Sequence, residues 1–234
     1  MERIVHRPCN GTDIPGFRLV VLNLHSGEQI YLTEEWDFSP SSVFWNPDGS
    51  RLYVLAMKCG RKRIFESHLN GKIRPLFWSD DSSVVDAHIS QNSLLITQSS
   101  LTDPYTVQMY SLQQRTLCRV FTPASKPPLT HHSVREFWYQ GCHNRPIHGF
   151  LHLPEDFNES RTYPLVFLIH GGPQSAWEDA WSIRWNSAVF ANAGSGWIVA
   201  MINPTGSTGY GQAFQDSIRG HWGSRPCSHS VYAF

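Results

Sequence analysis

Two patterns predict the fold class. Short β-rich runs recur at an offset of about 42 residues in the first half, and two fully apolar runs flank a helical stretch in the second. The first is the signature of β-propeller blades. The second is that of a parallel α/β sheet. The chain is therefore expected to be mixed: a partial β-propeller of about two blades, then part of an α/β domain.

The propeller elements are read in order. Leu19–Leu22 and Gln29–Leu32 flank the turn His25-Ser26-Gly27, as the tail of an earlier blade. Val43-Phe44-Trp45 meets Asn46-Pro47-Asp48-Gly49, a strong turn signal. Arg51–Leu55, Arg63–Glu66 and Ile73–Leu76 follow, with Asn70-Gly71 predicting a tight hairpin in which both turn residues take positive φ. The set then recurs as Ala87–Ile89, Leu94–Thr97, Val107–Tyr110 and Leu117–Phe121. Leu52 maps onto Leu94 and Phe65 onto Val107. A β-sandwich with accidental similarity is the alternative. Two blades cannot close a ring, because each blade buries its faces against neighbours.

Residues 1–125 are thus assigned to propeller blades and 126–133 to a proline-rich connector, Lys126-Pro127-Pro128-Leu129 within it. A second organisation spans 134–234. Arg135–Tyr139 and Ile147–Leu153 read as a hairpin around Cys142–Pro146. Leu165–Ile169 and Trp197–Ile202 read as strands buried on both faces. Trp181–Ala193 has helical spacing, with Trp185, Val189 and Phe190 as its expected buried stripe, and Gln212–Gly220 opens a second helix.

Composition excludes several functions. Lys+Arg and Asp+Glu are 19 each, so the formal charge is zero and nucleic acid is not an expected partner. No apolar run approaches the roughly 18 residues of a membrane span, and Met1–His6 is too short for a signal peptide. Aromatics at 13%, including nine Trp, argue against disorder. The five Cys have no C-x-x-C spacing, so no metal is expected, and their odd number leaves at least one thiol free or paired with another chain. Asn10-Gly11-Thr12 and Asn158-Glu159-Ser160 fit the glycosylation sequon, which is compatible with a secreted parent and leaves the compartment open. No cofactor is expected: the Gly-rich segment 203–211 lacks both nucleotide-binding spacings.

The chemistry lies in two loops. His170-Gly171-Gly172-Pro173 follows the first apolar strand and precedes the helix. In α/β-hydrolases that loop supplies an oxyanion-hole N–H. Asn203-Pro204-Thr205-Gly206-Ser207-Thr208-Gly209-Tyr210-Gly211 ends the second, at the sheet edge where open α/β folds place ligands.

These loops, with Trp177, Trp181, Arg184-Trp185-Asn186 and His221–Pro226, resemble the prolyl oligopeptidase family of serine peptidases, acylaminoacyl-peptidase branch. Asp48-Gly49 and Ser99–Asp103 resemble its propeller repeats, and Glu136-Phe137-Trp138 its entry into the hydrolase domain. The resemblance implies a partial propeller followed by the N-terminal half of an α/β-hydrolase domain. It implies acyl transfer to a serine, then hydrolysis, on peptide substrates, with release of N-terminal dipeptides. It places the oxyanion hole at Gly172, with His170 and Gly171 beside it, and the cleft loop at Asn203, Gly206, Ser207, Gly209 and Tyr210.

The sequence departs from the family at the nucleophile. No serine has glycine at both −2 and +2. Asp179, Asp216 and His221 precede the place of the missing elbow and have no nucleophile to serve. The Ser, Asp and His of the triad are expected beyond Phe234, so the chain is expected to be inactive as it stands, with an exposed edge on Leu165–Ile169. The alternatives are a non-catalytic propeller interaction module and an esterase-type hydrolase. Oligomeric state is not readable.

Overall fold

The computed structural model describes residues 2–8, 17–32, 36–38, 40–77, 81–122 and 133–222. The connector, the sequon at Asn10 and the segment after Trp222 lie outside them, apart from Ser133 at the connector's end.

The first half forms three antiparallel sheets. β1 (Glu2–Pro8), β2 (Phe17–Asn23) and β3 (Gln29–Tyr31) make one. β4 (Pro40–Trp45), β5 (Arg51–Lys58), β6 (Arg61–His68) and β7 (Ile73–Phe77) pair in sequence order as a four-stranded meander. β8 (Ser83–Ser90), β9 (Ser93–Ser99), β10 (Thr106–Ser111) and β11 (Thr116–Phe121) repeat the same order. Leu52 and Leu94 each stand second in their strand, as the repeat predicts.

Alternation explains how the sheets stack. On β5, Leu52, Val54 and Ala56 pack with Leu19, Val21 and Leu32 of the first sheet. Tyr53 and Leu55 face the other way, onto Val84, Leu94 and Ile96 of the third. Strand side chains alternate faces, so a sheet between two others needs a run apolar at every position. Burying each large side chain there contributes roughly 1.5–3 kcal/mol.

The turn after β4 closes as its sequence predicts. Gly49 N–H bonds the Asn46 carbonyl at 2.8 Å, and Asp48 Oδ1 accepts from Ser50 N–H at 2.8 Å. The Asn70-Gly71 hairpin differs. Gly71 alone takes positive φ, at 81°, and His68 N–H bonds the Lys72 carbonyl across a three-residue loop. That is the longer hairpin with one left-handed position, not the two-residue turn.

The second half is one mixed sheet, in the order β12 (Ser133–Gln140), β13 (Pro146–Leu153), β15 (Ile198–Asn203), β14 (Leu165–Leu168). Only β14 and β15 are parallel; the β12–β13 hairpin adds antiparallel strands to the far side of β15. The fully parallel sheet expected from the apolar runs is thus corrected to a single parallel pair. β15 is buried along its length, whereas β14 lies at the sheet edge, with Leu165 and Ile169 exposed.

The helix expected over Trp181–Ala193 is shorter. α1 spans Ser187–Ala191, capped by Asn186 Oδ1 accepting from Ala188 N–H at 2.9 Å. Its expected stripe is also reversed. Ser187, Ala188 and Ala191 face inward, while Trp185, Val189 and Phe190 are exposed. The cause is close approach: Ser187 Oγ lies 2.8 Å from His152 Nδ1 on β13, a distance only a small side chain permits. α2 covers Gln212–Asp216, and turns continue to Gly220.

Candidate functional site

The two loops meet where the parallel strands end, the position at which open α/β sheets hold ligands. The loop after β14 turns at Gly172, whose φ is 127°. A Cβ there would stand 2.8 Å from the Gln174 nitrogen, so only glycine fits. Gly171 and Gly172 are exposed, and an open cavity of about 410 Å³ lies against Phe167, Ile169, His170, Gly171, Trp177 and Trp185.

His170 joins the loops. Its Nε2 is 2.9 Å from Ser207 Oγ, and its Nδ1 is 2.9 Å from the Gly171 carbonyl. Ser207 Oγ donates to the Pro204 carbonyl at 2.7 Å. With that hydroxyl proton committed, both ring nitrogens face acceptors, and a neutral ring serves one at a time. Burial lowers the His170 pKa, favouring the neutral ring, and the Gly171 carbonyl opposes the shift.

Asn203 is fully buried at the end of β15. Its Oδ1 accepts from Trp177 N–H at 2.7 Å, and its Nδ2 donates to the Trp177 carbonyl at 3.0 Å and to Tyr210 Oη at 2.8 Å. The amide satisfies both backbone groups of Trp177, as a neighbouring strand would. Trp177 Nε1 then donates to the Leu168 carbonyl at 2.7 Å. Thr208 N–H reaches the Ser175 carbonyl at 2.9 Å. Gly206 packs under Ile218, and Gly209 packs against Met57 of β5.

Behind the loops runs a polar network that sequence reasoning missed. Tyr210 Oη lies 2.5 Å from His148 Nδ1, and His148 Nε2 stands 3.1 Å from Glu136 Oε1, off the axis of a hydrogen bond. Arg61 Nη1 bonds Glu136 Oε2 at 2.5 Å, and Arg61 Nε bonds Asp179 Oδ2 at 2.9 Å. Leu101 N–H closes on Asp179 Oδ1 at 2.9 Å. Burial lowers the His148 pKa to about 4 against the pull of Glu136, so the ring is neutral near pH 7. Burial raises the carboxyl of Glu136, but Arg61 and His148 outweigh it and hold it below its ordinary range. Asp179 is raised by burial, with Leu101 N–H and Arg61 opposing. The phenol of Tyr210 is pushed well up by burial. The available signal was His148 and His152 at alternate positions of an apolar strand, which puts both on one face.

Asp179 is therefore tied into an ion pair, and Asp216 pairs with Arg219 at 3.2 Å. Among the described residues Cys59 and Cys118 are free thiols. Among the described residues no group of three or more His, Cys, Asp or Glu is placed to hold a metal ion.

Comparisons with known proteins agree on one group. Residues 181–232 match the model of the prolyl oligopeptidase family. The chain is 38% identical over 214 residues to dipeptidyl-peptidase 5 of Schizosaccharomyces pombe, covering 89% of this chain and 30% of that protein. It is 38% identical over 199 residues to dipeptidyl-peptidase 5 of Aspergillus fumigatus, covering 82% and 27%. The chain thus spans under a third of the length of these relatives. Its fold matches acylaminoacyl peptidase of Pyrococcus horikoshii with a TM-score of 0.73 at 14% identity, covering 93% of this chain and 33% of that one. A puromycin-hydrolyzing peptidase of Mycobacterium tuberculosis matches with a TM-score of 0.67 at 18% identity, covering 99% and 36%.

Proposed function

The chain belongs to the prolyl oligopeptidase family, and from that premise we propose that it is part of a serine-type peptidase that cleaves peptide bonds near the N-terminus of peptides, releasing dipeptides. Residues 1–125 supply propeller blades, about two of them complete, and 134–234 the first part of the α/β-hydrolase domain. Among the described residues the Gly172 N–H has no partner within the protein, and its neighbour Gly171 lines the cavity. It is the oxyanion-hole donor for the tetrahedral intermediate, a role typically worth about 3–4 kcal/mol. Gly172 lets the loop turn, and His170 holds it to Ser207. Asn203, Gly206, Gly209 and Tyr210 fix the second wall of the cleft.

One observation carries this reading: His170 and Ser207 tie the loop at the exposed Gly171-Gly172 segment to the loop after β15, and Asn203 holds the same loop further on at Trp177. That preorganises the donor before substrate arrives. The nucleophile is not supplied by this chain, since no serine stands in a G-x-S-x-G turn.

The test is labelling with a fluorophosphonate probe alongside turnover of dipeptide–chromophore substrates. The chain alone is expected to show neither. Labelling at any of its serines would overturn the assignment. Downstream transcript encoding G-x-S-x-G, then Asp and His in frame, is the expected source of the triad.

A further inference from the structure

A second polar centre lies between the β4–β7 and β8–β11 sheets, at the end of β5 away from the Cys59–Gly60 turn. Glu66 is fully buried on β6. Three arginines converge on its carboxylate. Arg51 Nη1 bonds Oε1 at 2.7 Å, Arg74 Nε bonds Oε2 at 2.7 Å, and Arg115 Nη1 lies 3.2 Å from both oxygens. The side chains of Arg74 and Arg115 remain 56% and 41% exposed. Each uses one of its nitrogens on Glu66 and leaves the rest toward solvent.

One carboxylate does not balance three guanidiniums. Asp48 lies near Arg51 and answers part of its charge. A cavity of about 550 Å³ opens beside Arg74 and is also lined by Trp36, His68 and Lys72. His68 Nε2 is 4.0 Å from Glu66 Oε2. Among these described groups, three guanidiniums and the Lys72 ammonium against two carboxylates leave two positive charges. Burial raises the carboxyl of Glu66, but Arg51, Arg115 and Arg74 outweigh it and bring its pKa to about 2. The glutamate is therefore a permanent anchor. It fixes Arg74 and Arg115 from behind, which reduces the side-chain entropy lost when their free N–H groups bind a ligand. Arg115 takes φ of 57°, an uncommon conformation for a side chain of its kind, at the turn that brings it across to the neighbouring sheet.

We infer that Arg74 and Arg115, held by the buried Glu66, form a binding site for a doubly charged tetrahedral oxyanion of the phosphate class. A dianion matches the two uncompensated charges, and its oxygens suit guanidinium forks.

The test is titration of the chain with inorganic phosphate, read by calorimetry and thermal unfolding at fixed ionic strength. A saturable rise in Tm of about 3–5 °C is expected at ten times the dissociation constant. Acetate should give none. In Arg74→Gln/Arg115→Gln the saturable part should vanish, leaving only the general stabilisation that phosphate gives any protein. The single substitutions, each on an exposed side chain, serve if the double variant does not fold. Phenyl phosphate binding more tightly than inorganic phosphate assigns a phosphomonoester, and the reverse order assigns the free ion. An equal response in wild type and variants, or no saturable response, overturns the site.

Discussion

Arg61 and Asp179, 118 positions apart, pair at 2.9 Å with both side chains largely buried. The contact joins the turn between β5 and β6 to the loop beyond Gly172. Arg61→Ala leaves the Asp179 and Glu136 carboxylates without their cation in a half-dry site. A loss of about 3 kcal/mol is expected in urea unfolding. Asp179→Asn keeps an acceptor for Leu101 N–H and should cost less, about 1–2 kcal/mol. Equal costs would mean that the charge contributes nothing.

Asn203→Ala removes three hydrogen bonds and orphans the Trp177 backbone. A cost of about 2–4 kcal/mol is expected. Amide exchange at Trp177 should accelerate well before global unfolding. Asn203→Asp retains the bond from Trp177 N–H but loses both donors, and should be no better than alanine.

Acid should weaken the fold in two steps of the same sign. The His148 pKa lies at about 4 against an ordinary 6.5, so between those values the unfolded chain binds more protons. Its contribution is complete above pH 6.5 and is lost as pH falls toward 4. Glu66, at about 2 against 4.5, contributes above pH 4.5 and is lost toward 2. Asp179, raised by burial, opposes part of the decline. Tm measured from pH 7 to 3 should fall throughout, and His148→Gln should flatten the upper step.

The edge of β14 and the large outward residues near α1 should drive association. Ile169 is 72% exposed and Ile183 is 95% exposed. Exposed apolar patches beside an open strand edge favour intermolecular pairing. Ile169→Lys/Ile183→Lys should lower light scattering at equal concentration, with stability unchanged within about 0.5 kcal/mol.

What the sequence revealed was local or periodic. The paired positions of Leu52 and Leu94, the Asn46–Gly49 turn and the buried run of β15 all follow from side-chain alternation and turn chemistry. The positions of His170 through Gly172 and of Asn203 followed from where the apolar runs stop. The direction of α1 did not, because helical spacing shows that a stripe exists but not which side is covered. Nor did the antiparallel partner of β15, which comes from a hairpin some fifty residues earlier. The network from Arg61 to Tyr210 was hidden for the same reason: its members are ordinary charged and polar residues until distant strands bring them together.

The short turn at Cys59 and Gly60 has a further consequence. Cys59 N–H bonds the Gly209 carbonyl at 3.0 Å, and the Gly60 carbonyl accepts from Asp179 N–H at 2.8 Å. Gly209 leaves no room for a Cβ against Met57. Beside the Arg61–Asp179 ion pair, the two halves are thus also fastened main chain to main chain, through a contact indifferent to most side-chain substitutions but intolerant of insertion. In a chimera that grafts a foreign first half onto these loops, the length and curvature of this hairpin decide whether that main-chain joint seats.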